Sequence, residues 1–230
     1  PSLNLMKKKS TRPLIIGHRG ASASAPENTL AAFGMAIQAG ADGIEFDVRL
    51  ARDGVPVVFH DATLNRTARM NSAVSELTSE ELAKIDVGSW FAKVNKRRKS
   101  GSFGGERLPT LAAALESLKG FDGLIFIELK CGEREVEALT AAVCAVLADS
   151  PMLAQVILKS FKLAVIPRAK MHLPSLRTAA LFAPKIMTIL RKEKHLVKIA
   201  DEFGADELSI HYSLATQKLM EKAGERGLPV

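Results

Sequence analysis

Short apolar runs that stop at charged or polar residues, spaced by stretches of helical period, constrain this chain more than any other feature. The runs at 14–17, 43–50, 124–130, 155–161, 176–182 and 206–212 read as strands, and 29–39, 110–119, 133–147 and 216–226 read as helices. A parallel neighbour needs a long crossover, usually a helix, to bring the chain back to the same end of the sheet. Strands that alternate with helices therefore argue for a parallel α/β sheet. In a barrel of that class the chemistry sits at the C-terminal ends of the strands. The residues at which the apolar runs stop are thus the first candidates for a site.

Two histidines hold such positions. Leu14-Ile15-Ile16-Gly17 ends on His18, and Val55-Pro56-Val57-Val58-Phe59 ends on His60. Either one alone reads equally well as a satisfied core histidine. Between them, Ile44, Phe46, Val48 and Leu50 share one face of an alternating run, and Glu45, Asp47 and Arg49 share the other. If the apolar face packs under helices, the carboxylate face points at the barrel axis. Carboxylates two residues apart lie about 7 Å apart along a strand, and a cation between them lets both stay ionised in a dry site. Glu128 and Lys130 end the apolar run Leu124-Ile125-Phe126-Ile127 and also share a face. Glu128 can complete an all-oxygen set with Glu45 and Asp47, a chemistry suited to Ca²⁺ or Mg²⁺. Lys130 offers a cation to an anionic substrate.

Asp53-Gly54 between two extended runs marks a hairpin. A two-residue turn there pairs positions summing to 107 and sets His60 directly opposite Asp47, on the carboxylate face. The segment 61–110 lacks a strong strand and breaks the β/α rhythm. It reads as an insertion over the barrel mouth, with a capping box at Thr78 and Glu81. Its Lys96-Arg97-Arg98-Lys99 run and the following Ser100-Gly101-Ser102 read as a solvated loop. Asn28 has the position of an N-cap for the helix at 29–39. His172, His195 and His211 carry ordinary surface readings, with His211 alone following a strand.

At 230 residues, 47% of them hydrophobic, the chain is expected to form one domain over 1–230. A formal charge of +7 fits an anionic small molecule or nucleic acid. Aromatics make up 5% and do not interleave with the basic run, which speaks against nucleic acid. No apolar stretch nears the roughly 20 residues of a membrane-spanning helix. The start at 1–9 has basic residues but no apolar core, unlike a signal peptide. Cys131 and Cys144 fit reduced thiols in a cytoplasmic protein.

The ordered set His18-Arg19-Gly20, Pro26-Glu27-Asn28-Thr29, Glu45-Phe46-Asp47, Asp53-Gly54, His60-Asp61, Leu64-Asn65-Arg66-Thr67, Gly88-Ser89-Trp90-Phe91, Leu108-Pro109-Thr110-Leu111, Glu128-Leu129-Lys130 and Ser160-Phe161 resembles the glycerophosphodiester phosphodiesterases. The resemblance runs from about Leu14 onward. It implies a TIM-type (β/α)8 barrel that hydrolyses glycerophosphodiesters to sn-glycerol 3-phosphate and an alcohol. It implies one divalent cation, Ca²⁺ or Mg²⁺, on Glu45, Asp47 and Glu128, with acid/base chemistry by His18 and His60. Arg19 and Lys130 fall where the family binds substrate. The attacking oxygen is either the substrate's own glycerol hydroxyl or water. Two other readings keep the scaffold: a phosphodiesterase of lysophospholipids or sphingolipids, or an inactive binding protein. In relatives the Gly227-Leu228-Pro229-Val230 run opens a seventh barrel strand, so the last two strands are expected to lie beyond this sequence.

Overall fold

The computed structural model describes residues 12–94, 103–184 and 193–230. The Lys96–Lys99 charge run, Ser100-Gly101-Ser102 and the 1–9 start lie outside the described residues. The strands are β1 (Ile16–His18), β2 (Gly43–Leu50), β3 (Pro56–Val58), β4 (Leu124–Leu129), β5 (Val156–Ser160), β6 (Arg177–Phe182) and β7 (Glu207–Ile210). The helices are α1 (Leu30–Gln38), α2 (Asn65–Ala68), α3 (Ser79–Leu82), α4 (Ser89–Val94), α5 (Leu111–Ser117), α6 (Val136–Ala148), α7 (Val165–His172), α8 (Glu193–Glu202) and α9 (Gln217–Glu225). Helices α7 and α8 lie in segments where no helical pattern was read.

The sheet runs β1-β2-β4-β5-β6-β7, every neighbouring pair parallel, and curls into part of a TIM-type barrel. Past the end of α9 the chain returns beside β7, where Leu208 N donates to Pro229 O at 2.8 Å. One core lies between the outer face of the sheet and the helices. Ile44, Phe46 and Val48 of β2 and Ile125, Ile127 and Leu129 of β4 pack there with Phe33, Leu111, Leu139 and Val143. Removing each such side chain from water contributes about 1.5–3 kcal/mol. That stabilisation pins the parity of β2, because a one-residue slip would bury Glu45 and Asp47 under the helices. A second core joins α8 and α9 to β6 and β7 through Phe182, Leu196, Leu208 and Leu219.

The hairpin differs from its expected register. Val48, Arg49 and Leu50 face Val58, Val57 and Pro56, so paired positions sum to 106. Ala51 N donates to Val55 O, leaving a three-residue loop of Arg52, Asp53 and Gly54 in which Gly54 takes φ +79°. Glycine at the left-handed third position of such a loop is its usual closure. Phe59, not His60, is therefore opposite Asp47, with Phe59 N donating to Asp47 O at 2.9 Å. Strand β3 ends at Val58, so the chain is free to bend before His60.

The N-terminus of α1 is another correction. Thr29 is its cap, its hydroxyl accepting from Ala32 N, and Asn28 is released for the site. In the segment after the hairpin, Thr78 and Glu81 form the expected capping box. Leu64, Val74, Leu82, Ile85, Val87 and Leu108 make a small separate core against Val57 and Phe59.

Candidate active site

Parallel pairing assembles the site from strand ends. Asp47 is level with Glu128, Glu128 with Lys159, and Glu45 with His18. Side chains level with one another on neighbouring strands emerge on the same face. The alternation that packs Ile44, Phe46 and Val48 under the helices thus turns Glu45 and Asp47 inward. Glu45, Asp47 and Glu128 are 3%, 0% and 5% exposed, and each offers an oxygen within 4.8 Å of the other two.

These three residues fit a hard divalent cation. Oxygens that ligate one ion at about 2.3–2.6 Å lie no more than about 5 Å apart. One oxygen of each carboxylate, Glu45 Oε1, Asp47 Oδ1 and Glu128 Oε1, is buried without a hydrogen bond. Such orphaned acceptors are costly unless a cation meets them. In the protein alone, ammonium groups stand against them. Lys159 Nζ is 3.2 Å from Glu45 Oε1, Lys130 Nζ is 3.3 Å from Asp47 Oδ1, and Lys130 also pairs with Glu128.

Arg19 closes the arrangement from the loop after β1. Its backbone N–H donates to Glu45 Oε2 at 3.1 Å, and its guanidinium lies 3.0 Å from Asp47 Oδ2 and 2.9 Å from Glu27 Oε1. It adopts φ +59°, which a side chain of its size rarely takes. The next residue, Gly20, must be glycine, since a Cβ there would sit 2.6 Å from the Ala32 backbone. Asn28 is also left-handed, at φ +58°, and grips Asp47 twice. Its Nδ2 donates to Asp47 Oδ2 at 2.9 Å, and its Oδ1 accepts from Asp47 N at 3.2 Å. Strained backbone gathered at a charged site is a mark of function.

The carboxylates respond differently to this setting. Burial pushes the Asp47 pKa up, but Lys130, the Asn28 hydrogen bond, Arg19 and His60 together hold it below the ordinary value. Burial lifts Glu128 above its ordinary value, with Asp47 adding to the shift and Lys130 opposing it.

The two histidines flank the carboxylates. His18 Nε2 is 3.8 Å from Glu45 Oε2 and its side chain is largely exposed. His60 Nδ1 is 2.7 Å from Asp61 Oδ1, and the ring lies close enough to Asp47 to act on it despite the shifted hairpin register. Arg49, on the same face as Glu45 and Asp47, ties the two strand ends together. Its Nε donates to His60 O at 2.8 Å and its Nη1 to Lys130 O at 3.2 Å.

All seven residues picked from the sequence, His18, Arg19, Glu45, Asp47, His60, Glu128 and Lys130, thus gather at one end of the sheet. Lys159 was missed, although it ends the apolar run Val156-Ile157-Leu158 as Lys130 ends its own. Asn28 was read only as a helix cap, and Asp61 and Arg66 stood inside recognised motifs without an assigned role. Cys131 and Cys144 are free thiols, both pushed up to about 11 chiefly by burial, and neither is poised as a nucleophile.

The glycerophosphoryl diester phosphodiesterase family profile matches residues 18–230. A Bacillus subtilis protein provisionally named as a glycerophosphodiester phosphodiesterase is 38% identical over 179 residues, which is 78% of this chain and 70% of that protein. A glycerophosphodiester phosphodiesterase of Caldanaerobacter subterraneus is 45% identical over 121 residues, 53% of this chain and about half, 46%, of that enzyme. Among solved structures, an Oleispira antarctica phosphodiesterase in complex with the product sn-glycerol-3-phosphate superposes with a TM-score of 0.81. It is 28% identical and the match covers 94% of this chain and 82% of the other.

Proposed function

This chain belongs to the glycerophosphoryl diester phosphodiesterase family, and we propose that its site hydrolyses glycerophosphodiesters to sn-glycerol 3-phosphate and an alcohol. The observation that carries this reading is the buried Glu45, Asp47 and Glu128 set, each with one oxygen met only by a lysine ammonium group, and flanked by two histidines. Held by those three carboxylates, a divalent ion such as Ca²⁺ or Mg²⁺ supplies Lewis-acid stabilisation of charge on the phosphoryl oxygens.

The chain's own residues supply the rest. Arg19 and Lys130 bind the non-bridging oxygens of the phosphodiester monoanion, and their fixed charges favour the negative charge that builds up on them. Lys159 adds a third positive charge, so that three cations balance three carboxylates before metal and substrate arrive. One histidine accepts the proton of the attacking hydroxyl, and the other donates one to the departing alkoxide. Imidazole suits both tasks because its ordinary pKa, about 6.5, lies close to working pH. With Nδ1 held by Asp61, His60 is set to work through Nε2. The described part of the 61–110 segment is read as a cover over the mouth on the His60 side, since Arg66 in it bonds to Asp61 and Glu27. No helix among the described residues is long and apolar enough to cross a membrane. The site's polar surroundings favour small water-soluble diesters over lysophospholipids.

Release of choline or ethanolamine from glycerophosphocholine, glycerophosphoethanolamine and lysophosphatidylcholine tests the proposal; the first two leave sn-glycerol 3-phosphate and the lysolipid leaves its acylated form. The two soluble diesters are expected to be cleaved, with His18→Ala and His60→Ala each lowering kcat by about a hundredfold or more. Turnover of the lysolipid alone would overturn the substrate assignment. Wild-type turnover in either variant would remove that histidine from the mechanism.

A further inference from the structure

Two motifs of the mouth segment, Leu64-Asn65-Arg66-Thr67 and Gly88-Ser89-Trp90-Phe91, have no task in the chemistry above, yet they meet beside it. Arg66 lies on the short helix α2. Its Nε donates to Asp61 Oδ2 at 2.6 Å, while Nη1 and Nη2 donate to Glu27 Oε2 and Oε1 at 2.8 and 2.6 Å. Asp61 uses its other oxygen on His60 Nδ1 at 2.7 Å, and Glu27 Oε1 also receives Arg19 Nη1 at 2.9 Å. Arg19 in turn lies 3.0 Å from Asp47. The Trp90 ring stands 6.0 Å from the Arg66 guanidinium, and its own N–H is anchored on Val87 O at 2.8 Å.

We infer that Arg66 is a positioning residue, a fork that holds Asp61 against His60 and Glu27 against Arg19 at once. It thereby sets the acid/base imidazole and the phosphate-binding guanidinium in fixed relation across the mouth. This inference rests on the phosphodiesterase reading of His60 and Arg19.

The geometry requires arginine. A guanidinium presents several N–H groups in a rigid plane, so it can grip Glu27 with two bonds while a third edge holds Asp61. A lysine carries the same charge but cannot span both carboxylates in fixed directions. The chain of contacts also explains why residues so far apart in sequence enter one site. Arg19 and Glu27 come with the β1–α1 connection, His60 and Asp61 end the hairpin, and Arg66 arrives from the inserted segment. Arg66 is partly exposed, so its value lies in direction and not in stability, since half-exposed ion pairs contribute little to folding. The same carboxylates hold its pKa far above the ordinary value.

Arg66→Met and Arg66→Lys test the inference on the full chain. With glycerophosphocholine as substrate, both are expected to lower kcat by 10- to 100-fold, the usual effect of losing an orienting partner. Arg66→Lys should be no better than threefold above Arg66→Met, and KM should rise as Arg19 loses its brace. In a His60→Ala background the kcat loss from Arg66→Met should shrink to a few-fold, because the imidazole it orients is gone. Independently of turnover, ¹⁵N spectra of histidine-labelled protein should show His60 as a single Nδ1–H tautomer in the wild type and as an exchanging mixture in both variants. A His60 signal unchanged by Arg66→Met, or kcat and KM within twofold of wild type, would overturn the inference. So would full rescue by lysine. If thermal melting shows Arg66→Met partly unfolded, Arg66→Lys carries the same readouts. A wild type that fails to cleave glycerophosphocholine would sink the reaction reading, while the His60 spectra would still decide the role of Arg66.

Discussion

Asn28→Ala probes how the site is held together, because one side chain bridges a strained loop to the most buried carboxylate. Asn28 is 3% exposed and makes two hydrogen bonds to Asp47, one to its carboxylate and one from its backbone N–H. Losing a charge-assisted bond costs about 1.5–3 kcal/mol, and leaving the Asp47 N–H buried without an acceptor costs about 1–3 kcal/mol more. Alanine at φ +58° adds about 1–2 kcal/mol of backbone strain that asparagine tolerates better. Asp47 keeps Arg19 and Lys130 in the variant, so the lower half of each range applies and the loss is about 3.5–6 kcal/mol. At a urea slope of about 3 kcal/mol/M, the unfolding midpoint should fall by about 1.2–2 M. Asn28→Gly makes the same hydrogen-bond deletion without the steric strain and should recover about 1 kcal/mol. Both variants should lose activity together, since Asp47 is released in each. Equal midpoints for Ala and Gly would refute the strain term, and a loss below about 1 kcal/mol would refute the bridge itself.

Two further substitutions separate stability from function. Glu128 has a raised pKa in the metal-free fold, chiefly from burial, so its contribution is favourable below the unfolded value of 4.5 and is lost as pH rises through the folded value. Glu128→Gln should therefore raise the melting temperature of chelated protein at pH 7.5, remove the stabilisation given by Ca²⁺ or Mg²⁺, and abolish turnover; a lower melting temperature would contradict this. Asp47 and Asp61, with lowered pKa values, contribute above pH 4 and weaken the fold as pH falls through their folded values. Lys159→Met leaves Glu45 without its cation and should destabilise the chelated protein by about 3–5 kcal/mol, as breaking one side of a buried pair does. Saturating Mg²⁺ should restore most of that loss, and equal losses with and without metal would show that Lys159 and the ion do not share Glu45.

The legible parts of this chain are those where a single strand carries the whole message. The alternation of β2 gives both its buried face and its carboxylates, and the charged ends of β1 and β4 lie beside them once the sheet is parallel. Cross-strand detail is less legible. Asp-Gly reads as a two-residue turn, but Ala51 N bonded to Val55 O makes it three, and that single residue moves the partner of Asp47 from His60 to Phe59. The backbone bend after Val58 restores His60 to the site, and no sequence period encodes a bend. Asn28 next to Thr29 offers two equally good caps; only the tertiary pull of Asp47 decides that threonine takes the helix. Lys159 was hidden because a lone lysine at a strand end matches a solvated terminus until the curled sheet brings Glu45, two strands away, within 3.2 Å of it. Arg66 is more extreme, since its three carboxylate bonds join segments 5 and 39 residues away.

The most direct test of the central claim is a Mn²⁺ titration of chelator-stripped protein, followed by electron paramagnetic resonance of the free ion. One tight site per chain is predicted, competed by Mg²⁺ and Ca²⁺ and lost in Asp47→Asn and Glu128→Gln, with glycerophosphocholine hydrolysis rising in step with occupancy. Unaltered binding in both carboxylate variants, or full hydrolysis by the stripped protein in EDTA, would contradict it.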